Sequence, residues 1–245
     1  MKKLYLIFIL LSWRIISAQD IKIDTFSFQS SNSIYPDSVV FMHYPIIKTR
    51  NQLINNAINE DVKNRLTYNQ YPDISIDSAI QTWAYDDIGR VVEMNFKVTY
   101  SKNDLISFHI TTMFYGAYLT LNTDYFTYNY KTGKPLAIDQ IIDTNGYFKD
   151  MVVQDKDKQY ESEFQKITEI LEYDDKELVE ETLEMFRPYY DECRQSFHFE
   201  KFALYDNYLA IIEECYLPHV IAAGTPEVLL HYKYDSIKKY LKTRL

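Results

Sequence analysis

Apolar and polar residues alternate most regularly in the middle of the chain. Met94, Phe96, Val98 and Tyr100 take one parity and Glu93, Asn95, Lys97 and Thr99 the other, the period-two signature of a half-buried strand. After the polar turn Ser101-Lys102-Asn103-Asp104 the pattern resumes with Ile106, Phe108, Ile110, Thr112 and Phe114. The two runs predict an antiparallel hairpin. Two more strands flank the turn signal Thr132-Gly133-Lys134-Pro135. Upstream, Ile21, Ile23 and Thr25 mark a strand, and Val39 to Tyr44 marks another that ends at Pro45.

The period changes to 3.6 from Asn51 to Leu66, where Ile54, Ile58, Val62 and Leu66 line one face of an amphipathic helix. A second helical region begins near Asp157, with Tyr160, Phe164, Ile167 and Leu171 as its stripe. Asp174 caps a continuation through Leu178, Thr182 and Phe186, which Arg187-Pro188 is expected to stop. Acidic residues far outnumber lysines between Asp155 and Glu184, as on the solvated face of a surface helix pair. Strands return at Phe197 to Leu204, Tyr208 to Cys215 and Val228 to Tyr232, and Tyr234 to Leu241 closes the chain as a helix. Helices interspersed with antiparallel hairpins predict an α+β fold. We expect antiparallel sheets with packed helices in two small, intimately associated subdomains, residues 20–128 and 129–245.

The N-terminus bears on compartment. Lys2 and Lys3, the apolar run Leu4 to Trp13 and the small-residue site Ser17-Ala18-Gln19 read as a signal peptide over residues 1–19. The run is too short to span a bilayer, so the mature chain is expected to be periplasmic or secreted and not membrane-spanning after cleavage. Without Lys2, Lys3 and Arg14, the 26 basic residues fall to 23 against 35 acidic ones, a net charge near −12. Such a surface disfavours nucleic acid and suits solubility or a basic partner. Cys193 and Cys215 are expected to form a disulfide in an oxidising compartment; the alternative is two buried, unpaired thiols.

Catalytic signatures are scarce. His43, His109, His198, His219 and His231 show no metal-ligand spacing, so no metal or cofactor is expected, and His109 reads as a hydrogen-bonding group of its strand. Glu213 and Glu214 are adjacent on a strand and should point to opposite faces, which argues against a shared substrate. No phosphate loop, dinucleotide fingerprint or nucleophile elbow occurs.

The order of elements resembles a known family. His43-Tyr44-Pro45-Ile46, followed by Asn51, Asn55 and Ile58-Asn59, is similar to the "YP-x-I … N-x-x-I-N" opening of RsiV-like extracytoplasmic domains, of the DUF3298/DUF4163 type. Ile106 to Tyr115 with Gly116-Ala117-Tyr118, then Tyr128-Asn129-Tyr130-Lys131-Thr132-Gly133-Lys134-Pro135-Leu136 and Asp139-Gln140-Ile141-Ile142, resemble the family's strand, "GGAH" turn, "K-T-G-K" hairpin and "D-L-F" helix start. Tyr216-Leu217-Pro218, Ala222-Ala223-Gly224 and the final helix resemble its closing elements. The resemblance implies two α+β subdomains. It also points to relatives that serve as a lysozyme-binding anti-sigma factor ectodomain or accompany a peptidoglycan deacetylase. Tyr118 stands where those relatives carry histidine.

The expected function is an exported, non-catalytic binding or sensory module of the cell envelope, recognising a basic, lysozyme-like protein or a cell-wall glycan. The alternative is a hydrolase or deacetylase accessory enzyme acting on peptidoglycan or another glycan. Tyrosine combines contact area with a hydroxyl and few rotors, so Tyr115, Tyr118, Tyr125, Tyr128 and Tyr130 are the candidate ligand contacts. The competing explanation is that these tyrosines only cover the sheet.

Overall fold

The computed structural model describes residues 21–29, 40–85, 91–116, 119–171, 176–196, 199–218 and 225–245. The signal segment, Tyr118, His198 and His219 lie outside these residues. The fold is α+β, with three antiparallel sheets. Strand β1 (Ile21–Gln29) pairs with β2 (Phe41–Thr49). Strands β3 (Val91–Lys102), β4 (Leu105–Tyr115), β5 (Leu119–Asn129) and β6 (Lys134–Pro135) form a four-stranded meander in sequence order. The last sheet is β7 (Phe202–Leu204), β8 (Tyr208–Ile212) and β9 (Leu229–Lys233).

Helix α1 (Gln52–Leu66) buries the expected stripe, with Ile58, Val62 and Leu66 in the first core and Ile54 against it. Two asparagines of the N-x-x-I-N pattern fasten it to β2. Asn59 accepts from Ile47 N and donates to Ile47 O, each at 2.8 Å, while Asn55 Oδ1 accepts from Thr49 N at 2.6 Å. Their amides stand in for a missing strand partner, since unpaired backbone groups at a buried edge are costly. Strand β2 runs through Pro45 rather than ending there, with Pro45 opposite Thr25 in the ladder. Proline is tolerated because this two-stranded sheet is all edge.

Helix α2 (Ile76–Tyr85) was not expected. Its apolar residues Ile76, Ala79, Ile80, Trp83 and Ala84 fall at helical spacing, and all but Ile76 are buried. The signal was therefore present in the sequence, behind a Ser75 whose hydroxyl reaches Ser78 N at 3.4 Å. Together β1, β2, α1 and α2 close the first core over one face of the meander, where Ile106, Phe108, Ile110, Phe126 and Tyr128 point inward. At the β5–β6 turn Gly133 adopts φ +73° with Ala57 and Ile54 of α1 only 3.4 Å from where a side chain would start. Both the left-handed backbone and that approach call for glycine.

One bulge redirects the meander. Val98 pairs with Phe108 but Tyr100 pairs with Ser107, so Thr99 is inserted and Tyr100 changes face. Tyr100 then joins Leu105 in a second core, not the face of Met94 that unbroken alternation assigns it. Strand β7 packs there against β4 and β5. Leu204 N donates to Ser107 Oγ at 3.1 Å, and Ser107 and Thr127 hydroxyls meet at 3.0 Å.

The second core also takes in short helix α3 (Ile138–Ile141), the inner faces of β8 and β9 and the start of α4 (Tyr147–Leu171). Helix α4 begins ten residues before Asp157, because Phe148 and Val152, both fully buried, extend its stripe backward. Helix α5 (Lys176–Gln195) continues through Pro188 instead of stopping. Phe186, Tyr190 and Cys193 form a third cluster with Tyr160, and this packing on both sides of the proline offsets its cost of about 3 kcal/mol. Cys193 and Cys215 are bridged, tying the end of α5 to the segment after β8. The chain ends in α6 (Tyr234–Ile237) and a 3-10 turn, Lys238–Tyr240. Among the described residues no helix is long and apolar enough to cross a membrane.

Candidate functional site

The meander has one face on the first core; among the described residues its other face is covered only near β7. Cross-strand register builds that second face row by row. Lys97, His109 and Tyr125 stand side by side, then Asn95, Thr111 and Thr123, then Glu93, Met113 and Leu121, and finally Tyr115 beside Leu119. At the end of this face away from β7, Tyr115, Leu119 and Leu121 are 44%, 47% and 64% exposed. Three exposed large apolar side chains grouped at one end of a sheet face differ from the scattered ones found on any surface.

The end nearer β7 is aromatic. The rings of His109 and Tyr125 meet edge to face with centroids 5.6 Å apart. Tyr205 and Tyr208 stack at 4.4 Å, and Tyr208 lies 4.8 Å from His231. Burial, then the Glu214 carboxylate, raises the Tyr125 hydroxyl above the usual phenol range, so Tyr125 is a neutral donor and acceptor at neutral pH. His109 Nδ1 is buried with no hydrogen-bond partner among the described residues. Burial, then Lys97, lowers its pKa, so the ring is a neutral imidazole against Tyr125.

This shift has a consequence for stability. The unfolded chain takes up the His109 proton near the ordinary pKa of about 6.5, whereas the folded chain resists it. Stability is therefore full above that pH, falls as pH drops below it, and levels off below the folded pKa. His109→Phe is expected to flatten the part of the stability profile that falls below about pH 6.5, as urea unfolding at half-unit steps will show. His231, lowered by burial, contributes in the same direction, so the flattening is partial.

The four candidate tyrosines among the described residues divide by parity. Tyr115 and Tyr125 are on the uncovered face. Tyr128 and Tyr130 are instead buried in the first core. Even-numbered residues of β5 face α1, and the Tyr128 hydroxyl donates to Asp61 Oδ2 at 2.6 Å beneath that helix. Sequence reasoning missed Tyr205, Tyr208 and His231, since only the docking of β7 on β4 and β5 brings that sheet to Tyr125.

A separate cleft of ≈ 320 Å³ is lined by Ser196, Lys201, Glu213, Glu214 and Tyr216, among others. Strand β8 ends at Ile212, before both glutamates, and both line this cleft, but they take different partners: Glu213 meets Lys156 at 3.4 Å and Tyr160 at 3.2 Å, while Glu214 pairs with Lys201. Both carboxylates are held in ion pairs, an arrangement that leaves neither poised as a general acid. Among the described residues no group of three or more His, Cys, Asp or Glu side chains gathers as a metal site.

No protein-family model and no curated protein sequence matches this chain. Solved structures do share its fold. A member of the DUF3298 family from Bacteroides fragilis superposes with a TM-score of 0.58 at 12% identity, over 91% of this chain and 94% of that one. A DUF3298 family protein from Pseudomonas aeruginosa gives 0.51 at 11% identity over the same shares. The chain has a DUF3298-type α+β fold along nearly its whole length.

Proposed function

We propose that this chain is an exported, non-catalytic binding or sensory module of the cell envelope whose ligand meets the uncovered face of β3, β4 and β5. One observation supports the reading: a single sheet face joins the His109–Tyr125 pair to half-buried Met113 and exposed Tyr115, Leu119 and Leu121. Aromatic residues flanked by apolar area and hydroxyls are the usual composition of a contact surface. The Cys193–Cys215 bridge fits an oxidising compartment.

The favoured partner is a basic, lysozyme-like protein, since a chain with 35 acidic and 26 basic residues attracts cations at long range. A cell-wall glycan is the second ligand class, because the Thr111, Thr123 and Tyr125 hydroxyls could follow sugar hydroxyls across the face.

The test titrates residues 20–245 with a basic lysozyme and, separately, with soluble peptidoglycan fragments, at low and moderate salt. Binding to the protein is expected to weaken with salt, and Tyr125→Ala is expected to weaken it about tenfold. Absence of binding to both at tens of micromolar rejects the proposal. Release of soluble fragments or acetate from cell wall would instead support the enzyme alternative.

A further inference from the structure

Strand β5 has an open edge. Its backbone parity is set by three hydrogen bonds that leave the meander: Tyr125 O accepts from Arg65 at 2.9 Å, Thr127 O from Leu136 N at 2.9 Å and Asn129 O from Gly133 N at 2.8 Å. The β4–β5 register runs without a shift from Leu105↔Asn129 to Tyr115↔Leu119. In an unshifted antiparallel ladder outward-pointing residues alternate, so Leu119, Leu121 and Thr123 also turn their N–H and C=O groups away from β4. The guanidinium of Arg65 and strand β6 close this edge at Tyr125 and beyond; among the described residues no backbone hydrogen bond from outside the meander reaches it from Leu119 to Thr123.

Natural edges are defended by lysine, proline, a bulge or a covering element. Leu119-Thr120-Leu121-Asn122-Thr123 carries no charge, no proline and no bulge, and its two leucines are exposed. Its neutrality is selective in a chain of formal net charge −9. Two copies repel through most surfaces, but this segment can meet its own copy without setting like charges together.

We infer that two copies of this chain pair through β5, antiparallel and edge to edge, with each Leu121 opposite its counterpart in the second copy. The free groups select that register. Hydrogen-bonded pairs must join outward-pointing residues, and only centring on Leu121 uses all three, matching Leu119 with Thr123 on both sides of the twofold axis. Any register reaching further along β5 meets Tyr125 O, which Arg65 already occupies. The contact is isologous, so it closes as a dimer and does not propagate. It joins the two meanders into one sheet and sets the Leu119 and Leu121 side chains of both copies on its uncovered face. This assembly is additional to the ligand proposal and does not depend on it.

The experiment measures the mass of residues 20–245 by analytical ultracentrifugation from about 1 to 200 µM, with wild type and three variants. Wild type is expected to reach twice the single-chain mass. Leu121→Lys faces two ammonium groups across the axis and is expected to weaken the dimer by about tenfold or more. Thr123→Pro removes an outward N–H without touching the β4 ladder and should act in the same direction. Leu121→Cys should cross-link in oxidising buffer, since directly opposed residues have Cα atoms about 5.5 Å apart, while Asn122→Cys should not. Circular dichroism confirms that each variant is folded. A wild-type monomer at 200 µM overturns the inference. So does a dimer that ignores Leu121→Lys and gives no Leu121→Cys cross-link, and so does a monomer that captures only extended peptides.

Discussion

Lys156→Ala destabilises the chain by about 3–5 kcal/mol, the cost of stranding one member of a buried ion pair. The Lys156 side chain is 1% exposed and that of Glu213 5%, with Nζ 3.4 Å from Oε1. The same ammonium donates to Ser196 O at 2.7 Å and Cys193 O at 3.3 Å. Those carbonyls lie at the C-terminal end of α5, where the helix leaves its acceptors unsatisfied and its dipole favours a cation. Alanine thus removes the charge partner of Glu213 and uncaps α5 together. The Tyr160 hydroxyl still donates to Glu213, but a neutral hydroxyl cannot replace an ammonium. Pairing Lys156→Met with Glu213→Leu should recover a large part of the loss, since it removes the stranded charge. Urea unfolding measures both; a loss below about 1 kcal/mol for Lys156→Ala would show that water reaches the pair.

Opening the Cys193–Cys215 bridge comes next in size. It closes a sequence separation of 22 residues, for which the loop-entropy relation gives about 3 kcal/mol. Cys193→Ala with Cys215→Ala should therefore lower the midpoint by roughly 6–12 °C in a chain of this length. An unchanged midpoint would sink the assignment of a stabilising role. The bridge and the lysine are neighbours, because Lys156 bonds the carbonyl of Cys193. Combining Lys156→Ala with the double cysteine variant is expected to cost less than the sum, as both release the same end of α5.

Most elements were legible because their signals are local. The α1 stripe, the β3–β4 hairpin and the Gly133 turn each follow from a period or a backbone requirement contained in a few residues. The misread boundaries share a cause: a local stop signal was given more weight than packing further along the chain. Pro188 was expected to end α5, yet Tyr190 and Cys193 lie beyond it in a buried cluster. Lys156 shows the reverse. Its place four residues after Val152 and four before Tyr160 puts it on the buried stripe of α4, and a charge there is itself a sequence signal of an internal partner.

The tyrosines mark the boundary between the two kinds of information. Sequence alone determined that the β5 tyrosines belong to a strand, that Tyr128 and Tyr130 share one face, and that the two cysteines of a chain that reads as exported should pair. It could not say which face of the meander is covered, since alternation defines two faces and names neither as inside. That choice depends on where α1 and β7 dock, and on the single insertion at Thr99 that turns Tyr100 from one core to the other. Tertiary structure also decided that Tyr125 packs on His109, and that the edge of β5 from Leu119 to Thr123 has no strand partner among the described residues. The reason is physical: a strand's periodicity is a property of its own backbone, whereas burial and edge pairing are properties of whatever lies opposite.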